Sequence, residues 1–263
     1  MIWIKGLIIN FQFFTSIPIP ISISMDKNNV NGAIKTFPVL GFIQGIIYSF
    51  VFYVFIHWTP FSLLTAVFSV WLTMIILTGG IHLDGWIDTS DAFFAYQDKE
   101  KRLEIMKDPR TGAFGVLSVI VLLASKFFFV YEIGIQVEKQ SYFFMMMIPI
   151  LSKSIMGILL VRVQGAKSDG LGAYFKKSAN KNVFKIYPLY GVFILILSAW
   201  MSVNALIGAS ILILAAMILY LIIARKAVKW FGGITGDVIG AAVEGTELLL
   251  WMTVWLLHYF VMG

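Results

Sequence analysis

Three aspartates, Asp84, Asp88 and Asp91, fall within the stretch GGIHLDGWIDTSD at 79–91, directly behind the apolar run FSLLTAVFSVWLTMIIL. If the segment after Gly79-Gly80 is helical, they stand at i, i+4 and i+7, on one stripe of its surface. Like charges in that register repel one another unless a cation neutralises them. Oxygen-only ligands suit a hard ion, Mg²⁺ above all, which binds few carboxylates, keeps waters and takes up substrate phosphates. A solvated helix end would also gather acids. Ionisable groups opening this close to an apolar span point instead to function.

Downstream, LEIMKDPRTGAFG at 103–115 adds Asp108, flanked by Lys107 and Arg110 and followed by Gly112 and Gly115. It offers one more metal ligand, two cations able to clamp a phosphate, and a backbone that can approach a phosphate closely. Beside the aspartate triplet this forms a phosphoryl-transfer constellation, in which metal and cation positioning supply most of the catalysis.

The elements that hold these residues are membrane helices. Apolar residues make up 59% of the 263 and charged residues 13%, about half the share of a soluble domain. Runs of roughly 20 apolar residues, each able to cross a hydrocarbon core about 30 Å thick, recur along nearly the whole chain. The pattern predicts an all-α polytopic bundle in a single domain, with spans near 37–57, 61–81, 113–133, 142–162, 184–202, 205–224 and 246–262. Residues 2–16 are too few to span and read as an interfacial or re-entrant helix. There is no cysteine, hence neither a disulfide framework nor a thiolate metal site. No internal repeat suggests an inverted-repeat transporter.

Lysine and arginine concentrate before the first span and in loops 82–112, 162–185 and 225–245, and are nearly absent from the alternate connections. That alternation predicts a cytoplasmic N-terminus and cytoplasmic catalytic loops in a multi-pass protein of the cell membrane. Only Glu132 and Glu138 among the fourteen acids fall at the opposite face, and the clearly mid-span charges are Lys126 and Lys153. Topology and attraction to anionic lipid account for the net charge of +6, and no nucleic-acid partner is expected.

These motifs carry a resemblance. GGIHLDGWIDTSD, LEIMKDPRTGAFG, DGLGAYF at 169–175, FGGITGDVIGAAVEGTE at 231–247, and the earlier FFTSIPIP and FPVLGFIQG occur in the order seen in the cobalamin synthase family, the adenosylcobinamide-GDP ribazoletransferases. The resemblance implies a membrane enzyme of vitamin B12 assembly with Mg²⁺ as cofactor. In that family adenosylcobinamide-GDP gives its cobinamide phosphate to a hydroxyl of α-ribazole, or of its 5′-phosphate, and GMP leaves. Other corrinoid-pathway enzymes are candidate partners at the basic loops.

Carried over by position, the resemblance makes Asp84, Asp88 and Asp91 the Mg²⁺ cradle with Asp108 the fourth ligand. Asp91 or Asp88 is then the general base, with His82 the rival because imidazole titrates near neutral pH. Lys107 and Arg110 neutralise the diphosphate, Arg110 bidentately. Gly112, Asp169, Gly170, Gly172, Gly232, Gly233, Thr235, Asp237 and Glu244 complete the expected substrate contacts. Three positions depart from the family pattern. Ala92 and Phe93 follow the third aspartate where glycine is usual, Pro109 stands where serine is common, and Lys167 lies near a frequent arginine. Two other classes stay open: a CDP-alcohol phosphotransferase, whose D-G-x-x-A-R opening is missing here, and a divalent-cation carrier, which needs acids at mid-membrane.

Overall fold

The computed structural model of the chain describes residues 1–95 and 98–262. Eleven α-helices run through them: α1 (Ile2–Phe14), α2 (Lys27–Trp58), α3 (Leu63–Thr78), α4 (Ile81–Phe94), α5 (Lys99–Ile105), α6 (Ala113–Ile135), α7 (Lys139–Arg162), α8 (Gly170–Ser178), α9 (Tyr187–Met201), α10 (Val203–Phe231) and α11 (Gly236–Leu257). The described residues contain no strand, only an isolated bridge between Gly165 and Ile234. This is the expected all-α bundle. Six helical stretches are long and apolar enough to span; α3 and α4 reach that length and hydropathy only together, as a pair bent by 86°.

The main differences from the expected boundaries have local causes. α2 begins at Lys27 rather than near 37, because Asp26 caps it by accepting from the Asn29 amide at 2.9 Å. α11 begins at Gly236 rather than near 246, capped by the Thr235 hydroxyl. The expected span at 61–81 stops at Thr78. Gly79 and Gly80 both take left-handed backbone, with φ of 63° and 73°, and α4 leaves at 86° to α3. With 16 residues α3 is about 24 Å long, so it alone does not cover a full hydrocarbon core. α1, at 13 residues, is shorter still, as expected of a non-spanning helix.

α7 forms the centre of the bundle, with 83% of its apolar window buried against 22% for α6, α9 and α10, whose flanks are left for lipid. α2 reaches α7 because it presents Gly41 and Gly45, where a Cβ would collide with the backbone of Pro149 and Met146. α1 lies along α2 in the same way: Gly6 faces the backbone of Gly32 and Ala33, and Asn10 Nδ2 donates to the Ala33 carbonyl at 2.9 Å. Close backbone approach through small residues is how helices associate where lipid removes the hydrophobic drive.

The basic connections gather at one end of the bundle. There the loop after α1, α8 and the start of α2 are tied by Asn31 to the Ser178 carbonyl (3.0 Å) and by Tyr174 to Met25. The opposite end holds Glu132 with Tyr259 and the Glu138 cap of α7. One expectation fails. Glu244 and Glu247 are not at the basic surface but inside the bundle, two to three turns into α11. Lys126 of α6 donates to both, at 2.6 and 3.0 Å; Ser152 of α7 donates to Glu247 at 3.0 Å, and Lys153 stands 3.7 Å from it. All four charged side chains are buried, and they balance as two positive and two negative. Burial forces this pairing, since an isolated charge at membrane depth is costly.

Removing a single member should therefore cost more than removing a matched pair. Glu247→Gln and Lys126→Met each lower stability by about 3–5 kcal/mol. The pair Lys126→Met with Glu244→Met, which leaves Lys153 and Glu247 balanced, costs less than Lys126→Met alone. A double-mutant cycle on unfolding in mixed micelles measures that difference.

Candidate active site

At the basic end, three separated segments close around one cavity of about 510 Å³, within the usual range for small-molecule sites. The start of α4 contributes His82 and Asp84, the loop before α8 and the first turn of α8 contribute Lys167, Asp169, Gly170 and Gly172, and the start of α11 contributes Thr235, Gly236 and Asp237. Lys107 enters from the connection between α5 and α6. Met156 and Leu160 of α7 join Phe37 and Phe175 in the apolar wall.

Residues 81–94 are helical, so Asp84, Asp88 and Asp91 share one stripe of α4 as the spacing predicts, but of the three Asp84 alone lines the cavity. The helix crosses α11 at close range because both helices carry glycine at the contact: a Cβ on Gly85 would lie 2.7 Å from the Asp237 carbonyl, and one on Gly240 3.2 Å from the His82 carbonyl. This crossing brings Asp84 and Asp88 to Asp237. Half-buried Asp88 lies within electrostatic reach of Asp84, Asp237 and Asp91. Lys167 offsets part of that charge with a 3.4 Å ion pair to Asp237, which also accepts from the Thr235 hydroxyl.

The turn before α11 is positioned by backbone. Ile234 donates to the Gln164 carbonyl at 2.8 Å and accepts from the Ala166 amide at 2.9 Å, while Gln164 Nε2 donates to the Gly232 carbonyl at 2.6 Å. Gly232 caps α10 in left-handed backbone, and a side chain at Gly233 would strike the Gln164 carbonyl. These two glycines, expected as substrate contacts, build the turn and do not line the cavity. Gly172 and Gly236 come together in the wall, where a Cβ on Gly172 would sit 2.9 Å from the Gly236 nitrogen.

Several expected roles fall elsewhere. Asp91 points away from the cavity toward the start of α6, its two oxygens accepting from the amides of Gly112 (2.7 Å) and Gly115 (2.8 Å). Gly112 is thereby an anchor of that loop, since a Cβ there would overlap the Asp91 carboxylate. Asp108 and Arg110 are engaged with each other at the surface, by side-chain bonds of 2.9 and 2.5 Å and by the Arg110 amide at 3.0 Å. The Arg110 side-chain bonds, and then its backbone amide, hold the Asp108 carboxyl down at about 2. Asp108 therefore stays ionised at any ordinary assay pH. Glu244 faces Lys126 and not the cavity, for the electrostatic reason given above. Among the described residues no three acidic or histidine side chains are grouped to hold one ion. Asp84 and Asp88, with Asp237 nearby, are all-oxygen donors of the kind a hard cation takes, and need further oxygens to complete a shell.

His82 is buried, stacked on Phe14 with centroids 5.9 Å apart, and its Nε2 has no hydrogen-bond partner. That nitrogen has almost no accessible surface, so it is an unsatisfied polar atom buried in a residue of the cavity wall. Nothing in the sequence marks Phe14, Phe37 and Phe175 as the aromatic floor of the site. Phe14 falls within FFTSIPIP, but nothing in that motif says which ring meets His82. In the sequence Lys167 stands out only as a departure from the family pattern, and its pairing with Asp237 comes from the fold.

Comparison with known proteins shows the family of the chain. The family model described as cobalamin-5-phosphate synthase matches residues 6–255. An adenosylcobinamide-GDP ribazoletransferase of Geobacillus sp. (strain WCH70) is 35% identical over 98% of both chains. That of Geobacillus kaustophilus (strain HTA426) is 38% identical over 98% of both. One from Clostridium botulinum (strain Alaska E43 / Type E3) is 34% identical over 93% of this chain and 94% of its own. No solved structure matches. With nearly its whole length matched and its motifs folded around one cavity, the chain belongs to the cobalamin-5-phosphate synthase family.

Proposed function

We propose that this chain is a membrane transferase that moves the cobinamide phosphate of adenosylcobinamide-GDP onto α-ribazole, or onto α-ribazole 5′-phosphate, in the nucleotide-loop step of B12 assembly. The observation that carries the reading is the convergence of Asp84, Lys107, Lys167, Asp169 and the N-terminus of α11 on one cavity. The relatives' names supply the substrates. By the distribution of basic residues, the N-terminus and the cavity face the cytoplasm from the cell membrane.

In the proposed reaction the acceptor hydroxyl oxygen attacks the cobinamide-side phosphorus. The bond from that phosphorus to the bridging oxygen breaks, and GMP leaves with that oxygen. The hydroxyl proton passes to a base, for which the unpartnered Nε2 of His82 and the half-buried carboxylate of Asp88 are the candidates. Lys107 and Lys167 offset the diphosphate charge. The first turn of α11 brings Thr235, Gly236 and Asp237 to the cavity wall and sets the positive end of its helix dipole there, which favours an anion. Asp84 and Asp88 are the residues to hold Mg²⁺, which when bound neutralises the diphosphate. Two carboxylates with substrate phosphates are a usual Mg²⁺ arrangement, so a preformed cage of four is not required. Asp91 then acts as a positioning residue, fixing the Lys107 loop through Gly112 and Gly115.

The carrier reading gains the two acids found at membrane depth, Glu244 and Glu247. It loses them again because Lys126 and Lys153 already neutralise both.

An assay of GMP release from adenosylcobinamide-GDP and α-ribazole in nanodiscs tests the proposal. Product forms only with Mg²⁺, is lost on chelation, and falls at least about 100-fold in Asp84→Asn and Asp88→Asn at unchanged thermal stability. Turnover without a divalent ion, or in either variant at the wild-type rate, overturns the metal assignment. The surface pairing of Arg110 sets a second expectation. Lys107→Gln raises KM for the nucleotide donor about tenfold or more, and Arg110→Gln by less than about threefold; one hydrogen bond to a charged group is worth roughly 1.5–3 kcal/mol. For Asp91→Asn the expected signature is lost activity together with a lowered melting temperature, read by differential scanning fluorimetry.

A further inference from the structure

A second, larger hollow lies apart from the catalytic cavity and shares no lining residue with it. It is a groove of about 620 Å³ between α2, α7 and α9, walled almost wholly by apolar side chains. Its floor is Phe143, Met147, Ile150 and Ile194, all buried; its lips, including Phe42, Leu189 and Phe193, are exposed on the flank of the bundle. Along α9 the lining runs from Ile186 to Leu197, about 16 Å of helix axis. One leaflet of a bilayer has a hydrocarbon depth of about 15 Å. The groove therefore matches an acyl chain of one leaflet in length and polarity.

The mouth of the groove says which lipid. At its basic end, Trp3 of α1 closes the opening, with Lys35 Nζ 5.8 Å from its ring centroid. Tyr190 donates to the Lys35 carbonyl at 3.0 Å, placing a phenol at the same level. Exposed Lys185 immediately precedes the lining residue Ile186, and Arg162 lies over Phe184 at 4.6 Å. No acidic residue occurs in 27–46, 143–150 or 183–201, the three segments that form the groove. Tryptophan and tyrosine at headgroup level, backed by uncompensated cations above an apolar slot between helices, are what an anionic headgroup recognises.

We propose that this groove is a binding site for one anionic phospholipid of the leaflet on the basic side, an acyl chain lying between α2 and α9 and the phosphate at Lys35 and Lys185. The site is independent of the transferase reading, since none of its residues touches the catalytic cavity.

The experiment is native mass spectrometry of the full chain released from nanodiscs of equal phosphatidylglycerol and phosphatidylcholine. The wild type should retain one phosphatidylglycerol, enriched about tenfold over phosphatidylcholine, the discrimination that roughly 1.4 kcal/mol confers. Lys35→Gln with Lys185→Gln, both away from the core, should bring that ratio toward parity. Val39→Trp, filling the groove from α2, should empty it, while Leu221→Trp on the lipid face of α10 should change nothing. Equal retention of the two lipids by the wild type, or unaltered phosphatidylglycerol retention in the lysine pair, overturns the proposal. So does a dimer that dissociates in Val39→Trp with no change in bound lipid, which would make the occupant a second copy of the chain.

Discussion

The crossing of α4 over α11 is the contact on which the site depends. Glycine at 85 and at 240 lets the two backbones meet with no side chain between them, so the aspartates of one helix come beside the aspartate in the first turn of the other. A methyl group at either position would push the helices apart by a few tenths of an ångström or more. Catalytic geometry is sensitive at that scale. α4 can make the crossing only because it is not a continuation of α3. The left-handed pair Gly79-Gly80 turns the chain through 86° and sends an acidic helix across the bundle instead of through the bilayer.

α11 then joins the surface chemistry to the interior. Its first turn carries Asp237 into the cavity, and two to three turns further on Glu244 and Glu247 lock it to Lys126 of α6 and to Ser152 and Lys153 of α7. Apolar packing alone leaves a membrane helix free to slide by a small register step, because lipid and leucine are nearly equivalent neighbours. Paired charges at fixed depth remove that freedom, since any slip leaves a charge unpartnered in a medium that will not solvate it. The two parts of one helix thus divide the work, the first turns lining the cavity and the following turns setting its height.

The aspartates also separate by environment. Asp84 lines the cavity, and Asp88, one turn further on, lies within electrostatic reach of Asp84 and Asp237. Asp91, on the same helical stripe, is taken up by two amides at the start of α6, where a carboxylate meets both unsatisfied N–H groups and the favourable end of the helix dipole. Asp108 is drawn off by Arg110 two residues away. Spacing along a helix does not distinguish these fates, because the competing partners come from elsewhere in the chain.

The sequence by itself determined the class of fold, the family and the segments that would meet. Hydropathy over windows of membrane thickness is a local property, and helix caps such as Asp26 and Thr235 are local hydrogen bonds. The order of the motifs pointed to a nucleotide diphosphate as substrate. Only the tertiary structure decided which acids face the cavity, that Glu244 and Glu247 are counter-ions to Lys126 and Lys153 inside the bundle, and that His82 stacks on Phe14 from a helix some seventy residues away. Each of those depends on how helices distant in sequence cross, through backbone approach and charge pairing that no single segment encodes.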